Sequence, residues 1–313
     1  MKLQTIFSGE HFSDRAKEAK FQPPWWAQIL LFVLVFSISG APQSIVSAVM
    51  VMTDYSIENM DQIQDIIMEL TKSDPIMIAQ LLSTVLTAII VIIYCKLIER
   101  RSLYSMGFVK KNAVPSYLIG LASGFAMFSA TLLISYLAGA AKYVGTDVYN
   151  VGIYVLYCVG WLIQGAEEEI LCRGYFMPSL STKLPLWAAV LISSLFFSLM
   201  HPFNVGFNLI VLVNLTLTGI MFAVFAIRFN NLWVSCAIHS IWNLVQGNFY
   251  GLPVSGMYNG PSVFSFELAE NMDLWTGGVF GLEGSLCETI VMVIAIVAVI
   301  FIPKKKKNAE ISA

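Results

Sequence analysis

Four charged side chains lie inside a long apolar segment, from Val151 to Leu180, and this feature constrains the fold of the chain most. They are the consecutive carboxylates Glu167, Glu168 and Glu169, followed by Arg173. Charged groups in a hydrophobic segment long enough to span a membrane are costly to insert, and by default they mark a functional site. We therefore interpret the rest of the chain as a scaffold for this cluster.

The composition indicates an integral membrane protein. Hydrophobic side chains make up 57% of the 313 residues and charged side chains 12%, which is too apolar for a soluble domain of this size. No basic patch points to a nucleic-acid partner, and no internal repeat or soluble domain is visible. Residues 1–313 are therefore predicted to form a single membrane domain in contact with the lipid bilayer.

The cysteines are interpreted as packing residues. They are odd in number, unevenly spaced, and lie in or beside apolar segments, which does not fit a set of disulfides or metal ligands. The five are Cys95, Cys158, Cys172, Cys236 and Cys287.

A bilayer core of roughly 30 Å requires about 20 apolar residues in a helix. This length divides the chain into eight predicted spans, near 25–51, 76–98, 116–139, 152–181, 184–201, 207–227, 232–250 and 284–303. The predicted fold class is therefore an all-α polytopic membrane protein, with about eight transmembrane helices around an intramembrane polar cavity. The fourth span is long enough to be tilted, broken or partly on the membrane surface.

The lysines and arginines predict the orientation, because cytoplasmic loops carry an excess of them. Of the 18 basic side chains, Lys72 and Lys142 fall on one side, Arg173 lies within a span, and the others fall on the opposite side. Both termini are therefore predicted to be cytoplasmic. They comprise the N-terminal segment 1–24, which lacks the features of a signal peptide, and the basic tail 304–313.

The remaining connectors give weaker predictions. The acidic connectors 54–74 and 267–283 are expected to face outward, and His11 is expected to be solvated. Within the first connector, residues 57–70 have apolar side chains at helical spacing, which predicts a helix on the membrane surface or packed between spans. The glycine-rich stretch 251–284 is either a lid or binding loop or an ordinary mobile connector.

The fourth and fifth spans are predicted to form a hairpin with its tip near Lys183. Glu168 and His201 each lie roughly 24 Å from this tip along their helices, so they are predicted to be level. Arg173 then lies inside the bilayer, and the upstream residues 151–160 must kink or flatten. A buried arginine needs a partner.

The positions of the acidic residues around the helix predict a partner for Arg173. Glu169 and Arg173 are four residues apart on one helix face, with the acid nearer the N-terminus, which is the favourable order for an ion pair. Glu168 is rotated about 100° from Glu169, so it is free to face a cavity. The alternative is that the three acids only solvate a water-filled crevice.

Two further pairs, each four residues apart, place their side chains on one helix face. Phe197 and His201 allow an aromatic ring to pack beneath an imidazole, and His239 and Asn243 bring two hydrogen-bonding groups together. Measured along its helix from the preceding turn, His239 lies roughly 10 Å short of the level predicted for Glu168 and His201. Helix tilt must therefore bring it to that level. A lone membrane histidine is more often a helix–helix hydrogen bonder than a catalyst, but the predicted level with a glutamate favours catalysis.

A carboxylate, two histidines and an amide suit the hydrolysis of an amide bond. A buried glutamate can take a proton from water, a histidine can position that water, and histidine and asparagine donors can stabilise the tetrahedral oxyanion. Glutamate with two histidines is also a zinc-ligand set, although the chain has no HExxH motif. No GxSxG nucleophile motif is present.

Three motifs follow one another across consecutive spans. They are EExxxR (Glu168, Glu169, Arg173), FxxxH (Phe197, His201) and HxxxN (His239, Asn243). The set resembles the CPBP family, the CAAX proteases and bacteriocin-processing enzymes also called the ABI family, which includes the type II CAAX prenyl endopeptidases. Further stretches resemble bacterial members, namely ERRSLYSMGF, RGYFMP, NNLWVSCAIHSIWN and TGGVFGLEGSL. The core of the resemblance covers residues 161–248, the predicted catalytic core helices.

The resemblance implies an eight-helix glutamic intramembrane protease that needs no metal or other cofactor. Position by position, it implies that Glu168 is the general base and that His201 helps to activate the water. His239 and Asn243 are implied as the oxyanion site.

The resemblance also implies a supporting set around these residues. Glu169 and Arg173 are implied as a supporting pair, and Phe197 supports the histidine of its own motif. The extra Glu167 leaves the identity of the base ambiguous by one residue.

Several functions remain open on the sequence alone. The first is an endopeptidase in a bacterial cell membrane that cuts a membrane-associated peptide or protein, such as a secreted peptide, a bacteriocin leader or a pheromone precursor. The second is a non-proteolytic immunity or scaffold protein of the same family. The third is a zinc-dependent membrane protease. A transporter is disfavoured, because no pair of broken helices recurs in two related halves. The substrate and the oligomeric state stay unknown.

Overall fold

Helices occupy the positions of the predicted spans. The computed structural model describes residues 7, 11–54, 73–147, 150–257 and 260–301. Numbered along the chain, the long helices are α1 (Trp25–Asp54), α2 (Asp74–Tyr94), α3 (Ala113–Leu137), α4 (Val151–Glu169), α5 (Leu186–Ser198), α6 (Leu209–Phe229), α7 (Trp233–Leu244) and α8 (Leu286–Phe301). The predicted surface helix at 57–70 and the basic tail at 304–313 lie outside the described residues.

Several of these helices have the length and composition of membrane spans. In the described part of the chain, four segments are long and apolar enough to cross a bilayer: Trp25–Val46, Asp74–Glu99, Ala113–Leu137 and Leu209–Phe229. Large apolar side chains stay exposed on outer faces, for example Leu30 on α1 and Leu118 on α3, each more than half exposed. A surface of this kind suits contact with lipid. The chain is a membrane protein, while the number of eight spans stays a prediction.

The predicted all-α class omits a small sheet. Strand β1 (Ala141–Asp147) pairs with β2 (Ser262–Leu268) in an antiparallel arrangement. Aromatic side chains pack across the pair, with the ring of Tyr143 5.6 Å from that of Phe266. Such cross-strand contacts stabilise a sheet. The two strands are far apart in sequence, so no local pattern could predict their pairing.

The N-terminal segment packs against the bundle. His11, predicted to be solvated, is only 6% exposed, and Phe12 is fully buried. The backbone N–H of Phe12 donates to Asn230 Oδ1 at 2.7 Å, at the turn between α6 and α7. The prediction for His11 was wrong because the neighbouring apolar side chain anchors the segment on the protein.

The stretch 251–284 packs against the bundle over part of its length. Leu252 and Leu282 are almost fully buried. Gly277 has a φ of 75°, and a Cβ atom there would collide with the carbonyl oxygen of Gly281. Glycine is therefore needed for the tight turn that returns the chain to the bundle.

Glu283, at the end of this stretch, is buried although it belongs to an acidic connector. It is only 5% exposed. Its Oε2 accepts hydrogen bonds from Ser255 N–H at 2.5 Å, from Ser255 Oγ at 3.0 Å and from Gln246 Nε2 at 3.2 Å. A buried carboxylate is tolerated when donors of this kind satisfy it.

Helix α4 carries the three consecutive glutamates to its C-terminal end. The chain continues as a π-helical stretch, Ile170–Phe176, and a short α-helix, Met177–Ser181. Of the two alternatives predicted for residues 151–160, a kink is not observed, since they belong to the regular helix α4. The irregular turns lie downstream of the glutamates. Local π-helical turns occur often at functional sites.

Arg101 stabilises this π-helical stretch. Its Nη2 donates to the carbonyl oxygens of Gly174 and Tyr175 at 3.2 and 3.1 Å. Backbone carbonyls beside a π turn need such outside donors, because the regular ladder of helical hydrogen bonds is interrupted. Arg101 is held in turn by Glu99, with Nε 2.6 Å from Oε2. This fixes the segment that follows the glutamates.

Close backbone contact brings α4 against α7. A Cβ atom at Gly165 would lie 2.6 Å from the backbone nitrogen of Ser240. On the other side of α7, a Cβ atom at Gly120 of α3 would lie 2.5 Å from the carbonyl oxygen of Val234. Small residues allow membrane helices to approach this closely. The contact places the end of α4 beside the middle of α7.

We expect Gly165→Ala to lower the thermal stability of the detergent-solubilised protein, because the added methyl group must displace the backbone of α7. Overpacking of this kind costs about 1–3 kcal/mol, more than the roughly 0.5–1 kcal/mol by which alanine favours a helix over glycine. The measurement is thermal unfolding by circular dichroism. Gly40→Ala is the matched control, because no atom lies within 4 Å of its Cβ position. An unchanged melting temperature for Gly165→Ala would contradict the close contact.

Candidate active site

Side chains from three parts of the bundle line one small space, which we call the inner cavity. Glu168 comes from α4, His201 from the turn after α5, and His239 and Asn243 from α7. The inner cavity has a volume of about 30 Å³, which is enough for a water molecule. The structure therefore brings the four predicted catalytic residues together, while their roles stay predictions.

A fully buried ion pair lies behind the inner cavity. Arg173 Nη1 donates to Glu169 Oε1 at 2.7 Å, and neither side chain is exposed. The guanidinium also lies over the rings of Phe197 and Phe222, at 4.5 and 5.2 Å from their centroids. The partner that helical phase predicts for Arg173 is present, and two aromatic faces add cation–π attraction.

His239 connects this ion pair to the cavity. Its Nδ1 lies 3.3 Å from Glu169 Oε1, and its Nε2 lies 3.7 Å from Glu168 Oε2. The carboxylate of Glu169 can only accept, so Nδ1 carries a proton and Nε2 is the atom that faces the cavity. The imidazole stacks on Phe222 at 4.8 Å between centroids. The ring is therefore fixed by one hydrogen bond and one stacking contact.

An amide chain orients Glu168. Gln164 Nε2 donates to Glu168 Oε1 at 2.6 Å, and Asn243 Nδ2 donates to Gln164 Oε1 at 2.8 Å. Because the carboxylate can only accept, the direction of both hydrogen bonds is fixed. Asn243 keeps its second N–H, and Glu168 Oε2 is buried with no hydrogen-bond partner among the described residues.

His201 lies beyond the end of its helix. The predicted span extends to residue 201, but α5 ends at Ser198. Pro202 explains the difference, because the residue before a proline is disfavoured in a helix. His201 Nδ1 lies 2.9 Å from the carbonyl oxygen of Phe197, to which it donates. In the neutral ring, Nε2 is then an acceptor.

A second, larger space adjoins the inner cavity, and we call it the outer chamber. Its volume is about 250 Å³, and its walls come from α1, α2, α4 and the turn after α5. Four residues line both spaces: Gln164, Glu168, His201 and Met257. The outer chamber therefore leads to the predicted base. Glu167, which the motifs leave without a role, lines the outer chamber and not the inner cavity.

Sequence reasoning missed three residues of the site. Gln164 lies one helical turn before Glu168, and this spacing could have identified it as a hydrogen-bond donor. Phe222 carries no sequence signal, because an apolar residue in an apolar helix is indistinguishable from packing. Glu283 lies at the end of an acidic connector, which gave no reason to place it at the site, yet it lines the inner cavity.

Glu283 is a second carboxylate at the inner cavity, opposite α4. Burial raises the pKa of its carboxyl group above the ordinary value, and the hydrogen bonds from Ser255 offset only part of this rise. Asn204 Nδ2 donates to the carbonyl oxygen of Ser255 at 2.9 Å, which ties the same loop to the turn that carries His201. Glu283 thus helps to hold one wall of the cavity.

The contacts of the two histidines limit which of their nitrogen atoms could bind a metal ion. In the described part of the chain, no three His, Cys, Asp or Glu side chains are arranged to hold a metal ion. Nδ1 of His201 and Nδ1 of His239 each face a protein oxygen. A zinc site here would have to use both Nε2 atoms together with Glu168.

We expect Arg173→Met to destabilise the protein strongly, because Glu169 would stay buried without its counter-charge. Removing one partner of a buried pair costs about 3–5 kcal/mol. The double variant Arg173→Met with Glu169→Gln should recover part of the lost melting temperature, since no charge is left unpaired. Arg15→Met is the control, because its pair with Glu18 is more than half exposed and exposed pairs contribute little. A double variant no more stable than Arg173→Met would contradict the buried-charge interpretation.

One comparison with known proteins gives a match, and it covers the residues of this site. No curated protein and no solved structure matches the chain. Residues 150–245 match the family model described as type II CAAX prenyl endopeptidase Rce1-like, and this range contains all three motifs, from Glu168 to Asn243. Rce1-like proteins are a protease family. This match is consistent with a membrane protease of the CPBP family, and it confirms the resemblance that the three motifs carry.

Proposed function

We propose that this protein is a glutamic intramembrane endopeptidase, which hydrolyses a peptide bond of a membrane-associated peptide or protein with water activated by Glu168. The observation that carries the proposal is the state of the Glu168 carboxylate. One oxygen is held by Gln164, and the other is buried at a cavity large enough for a water molecule. A fixed carboxylate with a free oxygen beside a confined water is the arrangement that a general base requires.

In the first step, Glu168 Oε2 takes a proton from the water as the water oxygen attacks the carbonyl carbon of the substrate. The carbonyl π electrons move to its oxygen, which becomes an oxyanion. His201 lines the same cavity, and its neutral Nε2 can accept the other proton of the water in a hydrogen bond. This contact would orient the oxygen lone pair towards the substrate.

The oxyanion requires donors, and the site offers two. Asn243 has a second amide N–H beyond the one donated to Gln164. His239 Nε2, once protonated, is a charged donor, and the carboxylates of Glu168 and Glu169 flank the ring on both sides. Donors aimed at developing charge in a water-poor site give large stabilisation of the transition state.

In the second step, the protonated Glu168 returns its proton to the amide nitrogen of the substrate. The C–N bond breaks, the carbonyl re-forms, and the products are a carboxylic acid and an amine. The proton that leaves the water therefore ends on the leaving nitrogen, so one carboxyl group serves as base and then as acid. The ion pair of Glu169 and Arg173 stays unchanged throughout.

The substrate class follows from the position of the site. The inner cavity adjoins the outer chamber and lies among apolar helices, so the peptide approaches through the bundle. Secreted peptides, bacteriocin leaders and pheromone precursors have the membrane-associated segments that such a site requires.

We expect Glu168→Gln to lower peptide cleavage by roughly 100- to 10,000-fold, because glutamine cannot take a proton from water. The measurement compares membrane proteomes and purified protein, wild type against variant. Glu288→Gln is the matched control, since Glu288 is also fully buried but lines neither space. This control should retain cleavage.

Unchanged cleavage in folded Glu168→Gln would reject the proposed base. If wild-type protein cuts nothing while Glu168→Gln still supports a cellular phenotype at normal expression, the non-proteolytic immunity or scaffold function would be favoured.

Zinc-dependent hydrolysis is a second candidate, because one glutamate and two histidines line the same cavity. Under the proposed mechanism, we expect cleavage to persist after treatment with EDTA and dialysis, since the base acts on water directly. Elemental analysis of the purified protein accompanies the assay. Stoichiometric zinc whose removal abolishes cleavage, with recovery on adding zinc back, would contradict the glutamic mechanism.

A further inference from the structure

The outer chamber combines apolar walls with one acidic side chain that the proposed mechanism does not use. Apolar side chains from three helices and the turn after α5 face it: Phe36, Met77, Leu81, Leu171 and Met200. Gln80 and Asn204 add amide groups. No lysine or arginine lines the chamber among the described residues.

Glu167 is the unused acid. It is only 7% exposed, and it makes no hydrogen bond or ion pair with any residue in the described ranges. Glu168, the next residue, adds a second carboxylate at the same chamber. Placing an ionised carboxylate in an apolar site without a counter-charge is unfavourable. A cation that enters the chamber would relieve both the burial and the repulsion.

We propose that Glu167 and the outer chamber form a specificity subsite, which binds the basic side chain of a lysine or arginine near the scissile bond of the substrate. This inference rests on the proposed peptidase function. Lysine and arginine have long apolar stems and a charged end, which matches apolar walls with an acid at one point.

The volume of the chamber supports a single side chain as the occupant. About 250 Å³ is below the range of roughly 300–1,000 Å³ that is typical for drug-sized ligands. Because Gln164, Glu168, His201 and Met257 line both spaces, an occupied chamber would place the neighbouring peptide bond at the inner cavity. Binding energy from a remote side chain can in this way orient the bond that reacts.

The test uses synthetic hydrophobic peptides, acetylated at the N-terminus and incubated with the full protein in lipid nanodiscs. Each set carries lysine, arginine, norleucine or glutamate at one position along the peptide. We expect wild-type kcat/KM to be roughly 10- to 100-fold higher for lysine or arginine than for norleucine at one fixed position from the cut. In Glu167→Gln the preference should vanish, because the amide has no charge.

Two further variants separate loss of charge from loss of fold. Glu167→Asp keeps the charge on a shorter side chain, so part of the preference should remain. Glu288→Gln neutralises a buried carboxylate outside both spaces and should keep the whole preference. If wild type and folded Glu167→Gln show the same preference for lysine or arginine over norleucine, the proposal is overturned. This result is expected if Glu167 is protonated and carries no charge.

Binding to Glu168→Gln, measured by fluorescence anisotropy with the same labelled peptides, keeps the two proposals distinguishable. Lysine preference in binding, with no cleavage by wild type, would support the subsite and reject the peptidase. Cleavage without any preference for a basic residue would reject the subsite alone. The same peptides without the acetyl group complete the test, because cleavage of these alone would assign the cation to the terminal amine and overturn the side-chain subsite.

Discussion

The buried ion pair between Glu169 and Arg173 is the interaction on which the rest of the site depends. An arginine in an apolar interior must keep its counter-charge, so the two side chains fix each other across one helical turn. The same pair fixes what surrounds it. Phe197 and Phe222 lie against the guanidinium, and Glu169 also accepts from His239. One electrostatic requirement thus positions the aromatic residues and a histidine of the inner cavity.

Local contacts of the site could be predicted from the sequence because they depend on helical phase alone. The spacing of four residues correctly indicated the contact of Glu169 with Arg173, and that of Phe197 with His201. The level of His239 could not be predicted, because arithmetic along each helix ignores how closely two helices approach. In the structure, backbone contact at Gly165 brings α7 against α4 and places His239 beside Glu169.

The features that could not be predicted depend on contacts between distant parts of the chain. The pairing of β1 with β2 joins residues on either side of four long helices, α4 to α7. The burial of Glu283 has no signal in the sequence, because an acid in a glycine-rich connector normally meets water. Its donors, Ser255 and Gln246, reach it only after the connector folds back on the bundle. A sequence shows the charge of such a residue but not the partners that make its burial possible.

Three consecutive glutamates meet three different environments because a helix rotates each residue by about 100° from the last. Glu169 faces the arginine, Glu168 faces the inner cavity, and Glu167 faces the outer chamber. If all three pointed the same way, their mutual repulsion in an apolar surrounding would favour protonation, and no free base would remain. Helical rotation lets the ion pair neutralise one charge and turns the second towards the inner cavity. It leaves the third at the outer chamber, where the proposed subsite lies.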